Sequence, residues 1–169
     1  MQKDKGFTPM PLSIKIIFLF NLLGVLGTFQ NFTNLSKVPY VPFFGVKFTG
    51  IAMVFPSALT FILSAIFLIS MWNRYPWAWK FGIVLLAFNI LNIFFGAPYL
   101  AELSSYAFQK ELQNNPEMQR MSENLKQVML EFSQNLLLMV LAVSCIINLI
   151  FIAFLYKRRE YFEHINPKA

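Results

Sequence analysis

Residues 115–159 read NPEMQRMSENLKQVMLEFSQNLLLMVLAVSCIINLIFIAFLYKRR, and the way this stretch divides decides the fold. Asn115 followed by Pro116 is helix-start chemistry, because an Asn side chain satisfies orphan amides and proline suits the first helical position. Met118, Met121, Leu125, Val128 and Phe132 then recur at helical spacing along an otherwise polar segment. From Leu136 to Tyr156 the chain is almost uninterruptedly apolar, and it ends on Lys157, Arg158 and Arg159. A helix of about 20 apolar residues matches the hydrocarbon core, so lipid is the solvent this run requires. Without an obvious breaker, the stretch reads as one possible helix of about 65 Å at ~1.5 Å per residue, against a core of ~30 Å. Its first half must then leave the membrane, either standing against the preceding segment or bending onto the bilayer.

Composition points the same way. Of 169 residues 57% are apolar and 13% charged, and 20 are Phe, whereas soluble domains carry about 25% charged residues. The chain reads as one all-α integral membrane domain over residues 1–169. The net charge is +6, but the basic residues flank apolar runs instead of gathering on a polar face, so nucleic acid is not an expected partner. The one cysteine, Cys145, sits inside an apolar run and offers no disulfide framework. Lys3 and Lys5 precede the first apolar run as in a signal peptide, yet no A-x-A-like site follows, so that run is expected to be a retained span.

Four spans are expected, at about 12–28, 49–72, 77–95 and 136–156. The polar tail before Pro11 is expected to be loosely ordered. Loop 29–48, with Val38-Pro39-Tyr40-Val41-Pro42-Phe43-Phe44, cannot continue a helix and suits an interface. Pro56 is expected to kink the second span, and Gly96-Ala97-Pro98 to kink or stop the third. Leu100, Leu103, Ala107 and Leu112 suggest a further amphipathic helix, so residues 99–133 form a helical hairpin between spans 3 and 4. This is the fold expected: a four-transmembrane-helix bundle with an extracytoplasmic helical hairpin.

Lys3, Lys5, Lys15, Arg74, Lys80, Lys157, Arg158, Arg159 and Lys168 fall on the side of the termini, against Lys37, Lys47, Lys110, Arg120 and Lys126 on the other. That excess places both termini in the cytoplasm, with the plasma (inner) membrane as the expected location. Trp72, Trp77 and Trp79 share the same interface and read as anchors. The basic cluster after span 4 could dock anionic headgroups, although the positive-inside bias already accounts for it.

Inside the spans, small and polar residues recur at three- and four-residue spacing. Span 1 has Ile17, Asn21, Gly24 and Thr28; span 2 has Met53, Ser57, Thr60, Ser64, Phe67 and Met71; span 3 has Gly82, Leu85, Asn89, Asn92 and Gly96. Span 4 has Phe132, Asn135, Met139, Ala142, Ile146 and Leu149, with Ser144, Cys145 and Asn148 beside them. In lipid such faces turn inward, which predicts a left-handed bundle with an uncharged polar interior. Asn21, Ser57, Thr60, Ser64, Asn89, Asn92 and Asn148 are read as interhelical glue at roughly 0.6–2 kcal/mol per hydrogen bond. The competing reading is that they line a solute or lipid pocket.

Catalytic constellations are absent from the sequence. His164 is the sole histidine and lies in the C-terminal tail; Ser57, Ser64 and Ser144 have no intramembrane base; Cys145 reads as an apolar filler. No cofactor and no metal is expected. Glu102, Glu111, Glu117, Glu123 and Glu131 read as solvated helix faces with local pairing, such as Glu123 with Lys126 or Gln127. Asn31-Phe32-Thr33 and Asn34-Leu35-Ser36 match the N-glycosylation acceptor in what is expected to be an outer loop. At Trp77-Ala78-Trp79-Lys80 and Tyr156-Lys157-Arg158-Arg159-Glu160-Tyr161-Phe162 the chain resembles small, uncharacterised four-span prokaryotic membrane proteins. The resemblance implies a layout and no activity.

The function expected is that of a non-enzymatic accessory or interaction protein, with the lipid bilayer around it and a second copy or another membrane protein as partner. Its candidate partner surface is Met118, Met121, Leu125, Val128 and Phe132, to be covered by Leu100, Leu103 and Ala107 if the hairpin closes on itself. The alternative is a small-solute or lipid transporter or channel assembled from several copies.

Overall fold

The computed structural model describes residues 10–163. The N-terminal tail with Lys3 and Lys5, and His164 and Lys168, lie outside the described residues.

Where no water reaches the backbone, a helix pairs every amide within its own segment, and long apolar helices dominate the chain. They are α1 (Leu12–Asn34), α2 (Val54–Trp72) and α3 (Ala78–Asn114), followed by the single turn α4 (Pro116–Gln119), then α5 (Glu123–Lys157) and the short α6 (Glu160–Glu163). Helices α1, α2, α3 and α5 are long and apolar enough to cross a membrane. Their alternating directions leave both ends of the described chain at one end of the bundle, here the termini end, and the α3–α5 junction at the other.

Several boundaries differ from expectation. Helix α1 continues through residues 29–34 and a 3-10 turn at Leu35–Lys37. The two glycosylation acceptor triplets therefore sit on or at the end of a helix; the Asn34 amide donates to the Gln30 carbonyl at 3.4 Å and the Thr33 hydroxyl to the same oxygen at 2.7 Å. Pro56 falls in the first turn of α2, after a 3-10 turn at Gly50–Met53, where a missing N–H breaks no helical bond. Helix α3 runs through Pro98 without a stop, packed along its length on α5.

The one continuous helix envisaged for 115–159 divides in two. Asn115 caps only α4, accepting from the amides of Glu117 at 3.0 Å and Met118 at 3.5 Å. Ser122 caps α5, its hydroxyl accepting from the Leu125 amide at 3.4 Å. Ser122 followed by Glu123 is itself start chemistry, with the acid at the positive end of the helix dipole.

The segment between α1 and α2 folds into an antiparallel hairpin, β1 (Val41–Phe43) and β2 (Val46–Phe48), with Val41 opposite Phe48 and Phe43 opposite Val46. Its two-residue turn is Phe44-Gly45, with φ of 48° and 76°. Positive φ at both central positions matches the right-handed strand twist. Glycine adopts it freely; phenylalanine does not, so something outside the turn must hold Phe44 there.

Helix α1 packs on α2, α2 on α3, and α3 on α5, while α1 and α5 barely meet. The dry core lies at the termini end, where Ile14, Ile17, Phe67, Met71, Ala78, Leu155 and Phe162 are buried. Helix α6 turns Phe162 back into it, closing that end. Gly82 allows the closest approach: a Cβ there would meet the Phe67 ring and lie 2.8 Å from Leu155 Cδ1. Around the α2–α3 connection, Trp72 lies 5.8 Å from Phe18, Trp77 stacks on Tyr75 at 5.6 Å, and Trp79 meets Tyr156 at 6.4 Å. Cations sit over these rings, with Arg74 4.2 Å above Tyr161 and Arg159 5.0 Å above Tyr156.

The inward faces of α2 and α3 are the expected ones, with Ser64, Phe67 and Met71 buried on α2, Met53 buried in the 3-10 turn before it, and Gly82, Leu85 and Gly96 buried on α3. Helix α5 is rotated. Phe132, Asn135, Met139, Ala142, Ile146 and Leu149, expected inside, are all exposed. The face that meets the other helices is Ser133, Leu137, Ser144, Asn148, Phe151 and Leu155, of which Phe151 and Leu155 are buried. The physical reason is that Ser144, Asn148, Phe151 and Leu155 also follow a three/four spacing, and Ser144, Asn148 and Phe151 line the same space as Asn21, Asn89 and Phe67.

Candidate functional site

Three arrangements concentrate the polar chemistry. The first is a cavity of about 410 Å³ among α1, α2, α3 and α5. Asn21, Gly24 and Thr28 reach it from α1, Thr60 and Ser64 from α2, Asn89 from α3, and Ser144 and Asn148 from α5. Ile17, Phe67 and Phe151 floor it toward the dry core. Of the seven residues expected to face the interior, the cavity gathers Asn21, Thr60, Ser64, Asn89 and Asn148. Ser57 and Asn92 lie elsewhere: the Ser57 hydroxyl donates to the Met53 carbonyl of its own helix at 3.2 Å.

Within the cavity, the Asn21 amide bridges helices by donating to the Ser64 carbonyl at 3.1 Å. The Thr60 hydroxyl donates to the Pro56 carbonyl at 2.9 Å, Thr28 to Gly24 at 2.8 Å, Ser144 to Val140 at 2.8 Å and the Asn148 amide to Ser144 at 2.8 Å. These bonds stay within single helices, so hydroxyl lone pairs and the Asn148 carbonyl oxygen are left for the cavity. Gly24 does not serve close helix packing; nothing lies within 4 Å of a Cβ built there.

The second arrangement latches the β-hairpin to α3. The Phe44 amide donates to Asn92 Oδ1 at 2.8 Å, the Phe44 and Phe88 rings are 4.6 Å apart, and Phe43 is 5.8 Å from Phe88. Asn92 is the external constraint that the strained turn requires, and a side chain read as helix–helix glue instead satisfies a loop. At the hairpin base, Lys47 Nζ bonds both carboxylate oxygens of Glu102 at 2.8 and 2.6 Å and lies 4.6 Å from the Tyr40 ring centre and 5.2 Å from that of Tyr99. The Tyr40 hydroxyl donates to the Tyr99 carbonyl at 3.0 Å.

Lys47 holds the Glu102 carboxyl below its ordinary range, so that pairing contributes above about pH 4.5 and is lost as pH falls through the lowered value. Burial first, and the nearby Glu102 carboxylate second, push the Tyr40 phenol up to about 12. A raised folded value means that the protonated phenol stabilises the clasp below pH ~10, the ordinary tyrosine value, and that this contribution is lost as pH rises through about 12. In an alkaline absorbance titration, wild type minus Tyr40→Phe should give one tyrosine ionising near 12. A difference curve centred on 10 would contradict the buried clasp.

The third is the arm formed by the ends of α3 and α5. It is tied by a hydroxyl pair, Ser104 and Ser133, at 3.0 Å and by the Gln134 amide donating to Ser105 at 2.9 Å. Met118 is buried, lining a groove with Phe108, Met129 and Phe132, and Met121 is half-buried. Leu125, Val128 and Phe132 are 47%, 60% and 68% exposed. Leu100, Leu103 and Ala107, expected to cover them, line a different groove with Tyr106 and Leu137. Lys126 pairs with Glu123 at 2.6 Å and Gln127 with Glu131 at 3.1 Å, local helix-surface links worth a few tenths of a kcal/mol each.

Comparison of the chain with protein-family models, curated proteins and solved structures found no match.

Proposed function

We propose that the chain is a non-enzymatic multi-pass membrane protein that self-associates through α5, with both termini cytoplasmic and the α3–α5 arm standing clear of the bilayer on the opposite side. The observation that carries this reading is that α5 holds the most apolar 18-residue window of the four long helices, with a mean hydropathy of 2.9, while Phe151 and Leu155 are the only residues of α5 buried within the chain. Helices α3 and α5 have 37 and 35 residues, about 55 and 52 Å at ~1.5 Å per residue, so each outreaches a ~30 Å core. Tryptophans and the Lys157-Arg158-Arg159 cluster anchor one end, which leaves the excess length at the other.

Along the exposed face of α5, Leu125, Val128, Phe132, Asn135, Met139, Ala142, Ile146 and Leu149 keep a strict three/four alternation and are all exposed. Lipid alone asks only for apolar side chains; it sets no period and disfavours an amide. A second copy of α5 in the same orientation asks for this pattern, with one polar residue fixing register and a small one allowing close approach. Two copies in one membrane are parallel by necessity, so the seam meets itself in register from the arm into the core.

In a Cys145→Ala background, Val128→Cys should cross-link to its counterpart in a second copy, because facing seam positions bring Cα atoms within disulfide reach. Gln127→Cys, also exposed but off the seam, should not. Equal yields at the two positions, or none at Val128, would overturn the proposed seam.

A further inference from the structure

The four-helix cavity, on the opposite side of α5 from that seam, carries its own chemistry. We infer that it binds the head of an uncharged lipid bearing ester carbonyls and a free hydroxyl, as a diacylglycerol does. Its position excludes most other ligands. Asn148 lies ~13 Å from Lys157 along α5, and Asn89 ~17 Å from Ala78 along α3, at ~1.5 Å per residue. Both distances start from the tryptophan-rich end, so the site sits near the middle of a ~30 Å hydrocarbon core. No Asp, Glu, Lys, Arg or His lines it. A charged head would lose its hydration there without a counter-charge.

The lining offers both halves of a hydrogen-bond code. Among the described residues, the Asn89 carboxamide has no hydrogen-bond partner, so its N–H donors are available to a carbonyl oxygen. The Asn148 carbonyl oxygen and the Ser144 and Thr60 hydroxyl oxygens, whose groups donate within their own helices, are acceptors for a lipid hydroxyl. A hydrocarbon ligand would leave all of these unpaired, which is unfavourable in a dry site.

Access follows from the packing. The cavity is floored by Ile17, Phe67 and Phe151 over the dry core, so entry from the termini end is closed. Helices α1 and α5 barely meet, and Phe20 and Phe151 touch edge to face at 5.4 Å. Gly24 on α1 and Ser144 on α5 line the cavity above that pair. A volume of about 410 Å³ takes a glycerol head and the first carbons of its chains. The remaining acyl chains leave between α1 and α5 into the surrounding lipid.

Native mass spectrometry of the full chain in detergent, titrated with dioleoylglycerol, tests this. Wild type should retain one dioleoylglycerol per chain and no dioleoylphosphatidylglycerol, whose phosphate has no counter-charge in the cavity. Gly24→Leu fills the cavity without a clash, because a Cβ there has open space, and should weaken binding at least tenfold. Gly27→Leu has the same open surroundings, is not among the lining residues and should bind as wild type. Asn89→Leu keeps the branched shape and removes the donors, and should weaken binding several-fold with helix content unchanged. Retention of dioleoylglycerol by both Gly24→Leu and Asn89→Leu, or equal retention of the phosphatidylglycerol, would overturn the assignment.

Discussion

Gly82→Ala is expected to lose about 1–3 kcal/mol of stability, the range for forcing an extra methyl into a filled core. The added carbon has nowhere to go. The Phe67 ring and Leu155 Cδ1 both lie closer to it than side chains ordinarily approach, and both residues are fully buried among Ile14, Ile17, Met71 and Phe162. Phe67 must leave its packing or α3 must retreat from α2 and α5. The same change at Gly24 or Gly27 meets open space, so those variants should be neutral or slightly stabilised by the better helix propensity of Ala. Unfolding by a denaturing detergent reads all three. Phe67→Leu should partly restore Gly82→Ala, since two residues in one contact are not additive. Equal losses at Gly82 and Gly24, or no rescue by Phe67→Leu, would contradict the packing at the termini end.

Asn92→Leu is expected to cost about 1–3 kcal/mol and to free the β-hairpin, because it leaves the Phe44 N–H without its acceptor. The turn depends on that bond more than most turns would. Phe44 holds φ at 48°, a conformation that non-glycine residues adopt at a cost of roughly 1–3 kcal/mol and keep only when their surroundings enforce it. The Phe88 ring and Asn92 supply that enforcement. Hydrogen–deuterium exchange should show residues 41–48 losing protection in Asn92→Leu while residues 54–72 keep theirs. Protection of 41–48 at the wild-type level would show that the β-ladder and the Lys47–Glu102 clasp hold the hairpin alone.

The long apolar runs were legible because length and composition leave helix as the one backbone that satisfies itself without water. The inward faces of α2 and α3 were legible for a related reason: Ser64, Gly82 and Asn89 are too polar or too small to be ordinary lipid-facing residues. The face of α5 was not, and the failure is physical. A three/four repeat says that a helix shares a face with something, but it cannot say whether the partner belongs to the same chain. Two such repeats run down α5, and the one containing Asn135 and Ala142 turned out to be exposed.

The hairpin escaped because three-residue strands are too short for alternation to show, and Pro42 reads as a breaker although it fits a two-stranded edge. Ser122 escaped because Asn115-Pro116 is the stronger local start signal, and the seam of one polar turn between two helices has no apolar period to lose. The cavity drew on residues visible as a polar stripe in each span, but that they enclose a space depends on α1 and α5 standing apart, which no local pattern encodes.

Counting the copies of the full chain in lipid vesicles, by single-molecule photobleaching over a range of protein-to-lipid ratios, tests the self-association through α5 most directly. The wild type should shift from one to two bleaching steps as density rises, and Ala142→Phe, which obstructs the seam at its smallest residue without touching the chain's own core, should stay at one. Wild type remaining at one step across the range, or Ala142→Phe pairing as readily as wild type, would contradict it.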